Sequence, residues 1–293
     1  MSLALRRLFL SNPILEEATR AWRKFFRVAG GPGKGLSRAA MGAVTVFYVW
    51  ILAEVALSGG DLSAGILYFQ LIVVTLAMPM SIYGAIAGER ERTTWEALIL
   101  TRLTPGQIVA GKVLWRLAGL LILMALFLVP LLVGTGNGVN APRRSVDAGV
   151  VVQAEGMTFA WGFVLCAFGL WVSANTRRSV TSAALIFISL LAVLALLPAL
   201  ASMLGGPAGM DAAGYSGSYP FWVLMHVNAF YALSKITTGY DNSFGSGQSA
   251  ADPLHGAEWG LLQIAIYLIG AAAFLYVAYR SLKIWEEPKH RLG

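Results

Sequence analysis

Six apolar stretches of close to bilayer length decide what this chain can fold into. They cover residues 39–57, 64–88, 113–133, 157–174, 180–204 and 258–280, and about twenty predominantly apolar residues suffice for an α-helix to cross the hydrocarbon of a membrane. Of the 293 residues, 57% are apolar and 13% charged, where soluble proteins carry roughly 25% charged residues. One soluble core cannot bury that much apolar surface, but lipid tolerates it all round a helix. The composition excludes a soluble enzyme, a disordered scaffold and a disulfide-stapled secreted domain. The expected fold class is an all-α membrane protein with six transmembrane helices. The single cysteine, Cys166, lies in an apolar run and reads as a small packing residue.

Charge placement orients the spans. With the N-terminus inside, the inner segments 1–38, 89–112 with Arg116, 175–179 and 280–293 hold 19 of the 22 Lys and Arg residues, leaving Arg143, Arg144 and Lys235 outside. This bias predicts both termini in the cytoplasm, as an even number of spans requires. The opening MSLALRRLFLSNP has a broken apolar stretch and no small-residue cleavage site, so a signal peptide is not expected. The domain organisation follows: an N-terminal segment 1–38, one transmembrane domain 39–280, and a tail 281–293. Pro79, Pro130 and Pro198 fall in or near the second, third and fifth spans, where each removes a backbone hydrogen bond. Apart from Arg116 and Arg280 at the inner ends of the third and sixth, the spans carry almost no ionisable groups besides Glu54 in the first and Glu258 at the start of the sixth. That pattern speaks against an ion-coupled carrier or a charge-lined pore.

Two cytoplasmic segments carry local signals. In SNPILEEATRAWRKFFR, residues 11–27, Asn12 can cap a helix with Pro13 at its first position, acids in the first turn and bases near the end. Ile14, Leu15, Ala18, Trp22, Phe25 and Phe26 share one face, predicting an amphipathic helix flat on the inner leaflet. In GERERTTWEALILTRLTPGQIVAGKVLWR, residues 88–116, Thr93 and Glu96 form one capping box, with Trp95, Leu98, Ile99 and Leu103 on one face. Thr104 and Gln107 form a second box, with Pro105 at the first position of a helix running through Lys112 into the third span. Glu89, Arg90, Glu91 and Arg92 alternate in charge, which suits docking into another protein's charged groove.

Two strings imitate nucleotide sites and are discounted. GGPGKGLS, Gly30–Ser37, has Gly35 where a P-loop needs Ser or Thr after its lysine, and no strand precedes it. LSGGD, Leu57–Asp61, falls in an outer turn, away from ATP. No His, Cys or carboxylate cluster has metal-ligand spacing, so no cofactor is expected in this chain.

Glu-Arg-Glu at 89–91, the capped Trp95-Glu96, the Leu103-Thr104-Pro105 corner and Gly111-Lys112 resemble the cytoplasmic coupling segment of type 2 ATP-binding-cassette (ABC) exporter permeases. The Asn12-Pro13 elbow, the six spans and the inside termini extend the resemblance over nearly the whole chain. It implies a permease subunit of an ATP-driven exporter in a bacterial or archaeal cytoplasmic membrane. A second permease chain, identical or homologous, completes the pathway, and separate ATPase subunits hydrolyse the ATP. Glu89, Arg90, Glu91, Arg92, Thr93, Trp95, Glu96, Leu103, Thr104 and Pro105 are then the candidate ATPase-coupling residues. The sequence departs from the family at Thr93-Thr94-Trp95-Glu96, where members often have Gly-Thr-Leu-Glu.

The outer loops are expected at 134–156 and 205–257. Within the second, YPFWVLMHVNAFYALSK, Tyr219–Lys235, is short for a span and reads as a re-entrant or interfacial helix opened by Pro220. Similar permeases place short helices there as an outer lid, which makes Pro220, His226 and Asn228 candidate lid residues, although Ala229 stands where relatives often have Pro. The alternative from another class is a non-transporting six-span scaffold that recruits a cytoplasmic protein. A membrane-embedded enzyme would need a paired acid, base or metal set within the spans, which the sequence lacks. Nucleic acid is not an expected partner.

Overall fold

A computed structural model describes residues 46, 48–51, 53–54, 63–92, 104–136, 148–205, 227–238 and 256–286. Among them every regular element is helical: α1 (Ser63–Ile82), α2 (Ala87–Glu91), α3 (Pro105–Gly136), α4 (Ala148–Asn175), α5 (Ser179–Leu191), a π-helical turn (Ala192–Leu196), α6 (Leu197–Gly205), α7 (Ala229–Thr238) and α8 (Gly256–Glu286). Five helical segments are long and apolar enough to cross a membrane: Ala64–Glu91, Pro105–Leu132, Ala148–Asn175, Ser179–Leu200 and Gly260–Lys283. Of the expected first span, the described residues 46, 48–51 and 53–54 are helical. The rest of that span and the elbow helix lie outside the described residues.

Side-chain pairings give the helix directions. Thr75 of α1 accepts a 2.9 Å hydrogen bond from Trp161 Nε1 of α4, and further along both chains Ile86 donates to Ser173. On α8, Tyr267 stacks on Trp161 with ring centroids 5.2 Å apart, and Phe274 packs on Trp171 at 5.7 Å. So α1, α4 and α8 run the same way. Helix α3 runs against them, with Arg116 at Ser81 and Phe127 at Phe69.

Helix α4 is the axis of the bundle, and its small residues explain why. Bilayer lipid is as apolar as leucine, so helices associate in it largely through close backbone approach. A Cβ on Gly162 would meet Leu120 of α3 at 2.7 Å and Val74 of α1 at 3.0 Å, and one on Gly169 would collide with Ile82. Around these contacts Leu71, Val74, Leu120, Met157, Leu165 and Leu170 form the buried core, joined by Cys166, which is fully buried.

Two expectations need correction. The fourth span was expected at 157–174 with an outer loop at 134–156, but α3 continues to Gly136 and α4 begins at Ala148. Gln153 and Glu155 lower the hydropathy there without ending the helix, because Glu155 lies within the bundle and accepts a hydrogen bond from Gln70. The spans therefore hold an ionisable residue besides Glu54 and Glu258. The prolines act differently from one another. Helix α1 ends three residues after Pro79, α3 runs through Pro130, and Pro198 follows the π-helical turn at Ala192–Leu196. A proline lacks the N–H that would close the turn behind it, and a widened turn is one way to absorb that loss.

Candidate functional site

Most charged residues among those described gather at one end of the bundle, where α1 gives way to α2, α3 begins, and α4 passes to α5. A helix leaves four N–H groups unsatisfied at its start and four C=O groups at its end, and apolar sequence offers nothing to meet them. Here five helix ends are finished by polar side chains, four of them supplied by a neighbouring element.

Helix α2 starts in a buried position, and the Ser173 hydroxyl from α4 accepts the N–H groups of Ile86 and Ala87, both at 3.0 Å. Arg90 on α2 returns the support, since its Nη1 donates to the carbonyl of Ala174 at 2.6 Å and of Thr176 at 3.4 Å, at the end of α4. Arg116 of α3 finishes α1: its Nε donates to Ser81 O at 2.9 Å, while Nη1 donates to Lys112 O at 2.6 Å. Both cations sit where carbonyls accumulate, the placement that the helix dipole favours. Glu91 caps α5 from outside, accepting Ser179 N–H at 3.1 Å and the Ser179 hydroxyl at 2.5 Å. Helix α3 caps itself as expected, with Gln107 Oε1 accepting Thr104 N–H at 3.0 Å and Thr104 Oγ1 accepting Gln107 N–H at 3.4 Å.

One ion pair joins the two sides of the segment between α2 and α3. Lys112 Nζ lies 2.5 Å from Glu89 Oε1, with the lysine buried. Residues 93–103 are thus bracketed by a clamp. Glu89 takes part in it and Arg90 stands beside it on α2, Thr104 and Pro105 stand at the head of α3, and Glu91 and Arg92 lie exposed at the end of α2. The other candidate coupling residues, Thr93, Trp95, Glu96 and Leu103, lie outside the described residues. Ser173, Ser179 and the capping role of Arg116 were not singled out from sequence. Their signal is a polar residue within a turn of the end of an apolar span.

At the opposite end, α7 buries Ala229, Ala232, Leu233 and Ile236 along one face, at helical spacing. Asn228 is its N-cap, Oδ1 accepting the N–H of Phe230 at 2.9 Å and of Tyr231 at 3.5 Å. Pro220 and His226 lie outside the described residues. Among the described residues no group of three or more His, Cys, Asp or Glu could hold a metal ion.

The arrangement suits the transmission of force, because a displacement of residues 93–103 acts directly on α2 and α3 and, through their caps, on α1, α4 and α5. No curated protein matches the chain. A family model described as ABC-2 family transporter protein matches residues 16–283, and the chain belongs to that family, whose members are membrane permeases of ABC transporters.

Proposed function

We propose that this permease forms the translocation pathway of an ATP-driven exporter as a dimer with a second permease chain, driven by separate ATPase subunits that engage residues 93–103. The membrane is a bacterial or archaeal cytoplasmic membrane, crossed six times with both termini inside. The elbow helix at 12–27 lies along the inner leaflet, and α7 forms part of an outer lid with Pro220, His226 and Asn228. ATP hydrolysis takes place in the partner chain, and this chain needs no cofactor. The observation that carries the reading is the Glu89–Lys112 clamp, which ties both sides of the coupling segment to the bundle. ATP binding can favour one membrane conformation only through contacts that differ between two states, and a segment clamped at its base converts an ATPase movement into such a difference.

Purification with the ATPase subunit and a vanadate-sensitive hydrolysis assay test this. Glu89→Lys and Lys112→Glu should each lower transport per ATP hydrolysed, and the swap of both should restore it. Failure of the swap while the complex stays intact would remove the clamp from the mechanism. A clean preparation without any ATPase would favour the scaffold reading.

A further inference from the structure

The end of the bundle that faces α7 holds a polar contact that the coupling mechanism does not use. Gln70 of α1 is fully buried, and its Nε2 donates to Glu155 Oε2 of α4 at 2.9 Å. The remaining oxygens of this pair, Gln70 Oε1 and Glu155 Oε1, are both buried without a hydrogen-bond partner. An amide and an ionised carboxylate have three acceptor oxygens between them, and only the amide nitrogen can donate. The pair is therefore short of a donor.

Among the described residues nothing nearby supplies a countercharge. Along Ser63–Ile82 there is no Asp, Glu, Lys or Arg, and on α4 Glu155 is the sole one. The cations of α3 are Lys112 and Arg116 at the clamp, and α8 carries Glu258 at its start and Arg280, Lys283 and Glu286 near its end. Lys235 of α7 lies over the Tyr231 ring. Among the described residues, Gln70 is the group set against the Glu155 carboxyl, and no cation acts on it. Glu155 is half-buried with its Oε1 shielded from solvent, and a shielded carboxylate with one hydrogen bond and no countercharge is a costly arrangement.

One proton removes both defects. Placed on Glu155 Oε1, it neutralises the charge and supplies the missing O–H, which can donate to Gln70 Oε1 while the amide N–H donates to Glu155 Oε2. We propose that Glu155 and Gln70 form a proton-binding site between α1 and α4, with the carboxyl held as a neutral acid in this conformation. The proton is taken from hydronium in the surrounding water and returns to water when α1 and α4 separate and the carboxyl is hydrated.

The full-length protein in lipid nanodiscs, in potassium buffer near neutral pH, tests this by infrared difference spectroscopy against Glu155→Gln. The expected result is a C=O stretch of a protonated carboxyl in the wild type, shifted by D2O and absent from the variant. Carboxylate stretches alone would overturn the proposal. Glutamine keeps the acceptor C=O and puts an N–H donor where the acid has its O–H, with one N–H to spare, so Glu155→Gln should melt close to the wild-type temperature. So should the swap of Gln70→Glu with Glu155→Gln, with the protonated band retained. A variant that melts far lower, or fails to fold, would mean that the negative charge is required. A wild-type melting temperature that rises with added sodium, without the protonated band, would identify a metal cation instead.

Discussion

Helices α4 and α5 are consecutive, joined by residues 176–178, and both apolar enough to span a membrane, yet they occupy opposite environments. In the apolar window of α4 72% of the residues are buried, against 11% for the segment Ser179–Leu200. The more hydrophobic of the two is the peripheral one, with mean hydropathy 2.7 against 1.7. Hydropathy records what lipid accepts, whereas burial within the bundle follows from small residues that let backbones approach and from polar groups that find partners there. Helix α4 has both, in Gly162 and Gly169 against α1 and α3, and in Glu155, Trp161 and Ser173 as hydrogen-bonding residues. Helix α5 instead leaves Val180, Ile188 and Leu191 exposed.

The strongest way to break this contrast is to enlarge a close-approach residue. Gly169→Leu drives a side chain into Ile82 on a neighbouring span, and the expected cost is about 3 kcal/mol, the upper end for overpacking. In practice the variant should accumulate poorly or melt far below the wild type in detergent. A wild-type melting temperature would mean that α1 and α4 can move apart freely, and α4 would lose its role as the axis.

Ser173→Ala is the next largest. It removes the hydroxyl that accepts two buried N–H groups at the start of α2, and the expected cost is about 1–3 kcal/mol for leaving buried donors unmet. Hydrogen exchange should locate the damage, with protection falling at Ile86 and Ala87 before it falls in α1. Uniform loss along α1 would instead make the serine part of the global core.

The difference between these residues also shows what could be read from sequence alone. The Thr104–Gln107 box and Pro105 at the head of α3 were legible because the partners lie within one helical turn. The Asn228 cap of α7 is equally local, yet sequence pointed there to a lid residue and not to a cap. Ser173, Glu91 and Arg90 act on residues more than 80 positions away, and nothing local distinguishes them from solvated polar residues at a span boundary. Glu155 was misplaced for the same reason. A hydropathy window counts its charge as loop, while the structure meets it with Gln70, 85 residues earlier. The segment 88–116 was recognisable as a pattern before its geometry was known. Its internal logic, in which Glu89 binds Lys112 of the same chain, needed the fold.

The smallest effect is expected on α5, and it tests the comparison from the other side. Ile188 and Leu191 are 64% and 67% exposed. Truncating both to Ala should change the stability of the isolated chain by less than about 0.5 kcal/mol, as for surface positions with no packed neighbours. In a membrane the removed methyl groups only exchange one apolar contact for another, so the loss that a soluble core would suffer does not arise. A melting curve of the Ile188→Ala, Leu191→Ala variant that overlays the wild type would keep α5 at the periphery. A fall of several degrees in the isolated chain would show that another part of the same chain covers this face, and the contrast between α4 and α5 would become one of partners instead of burial.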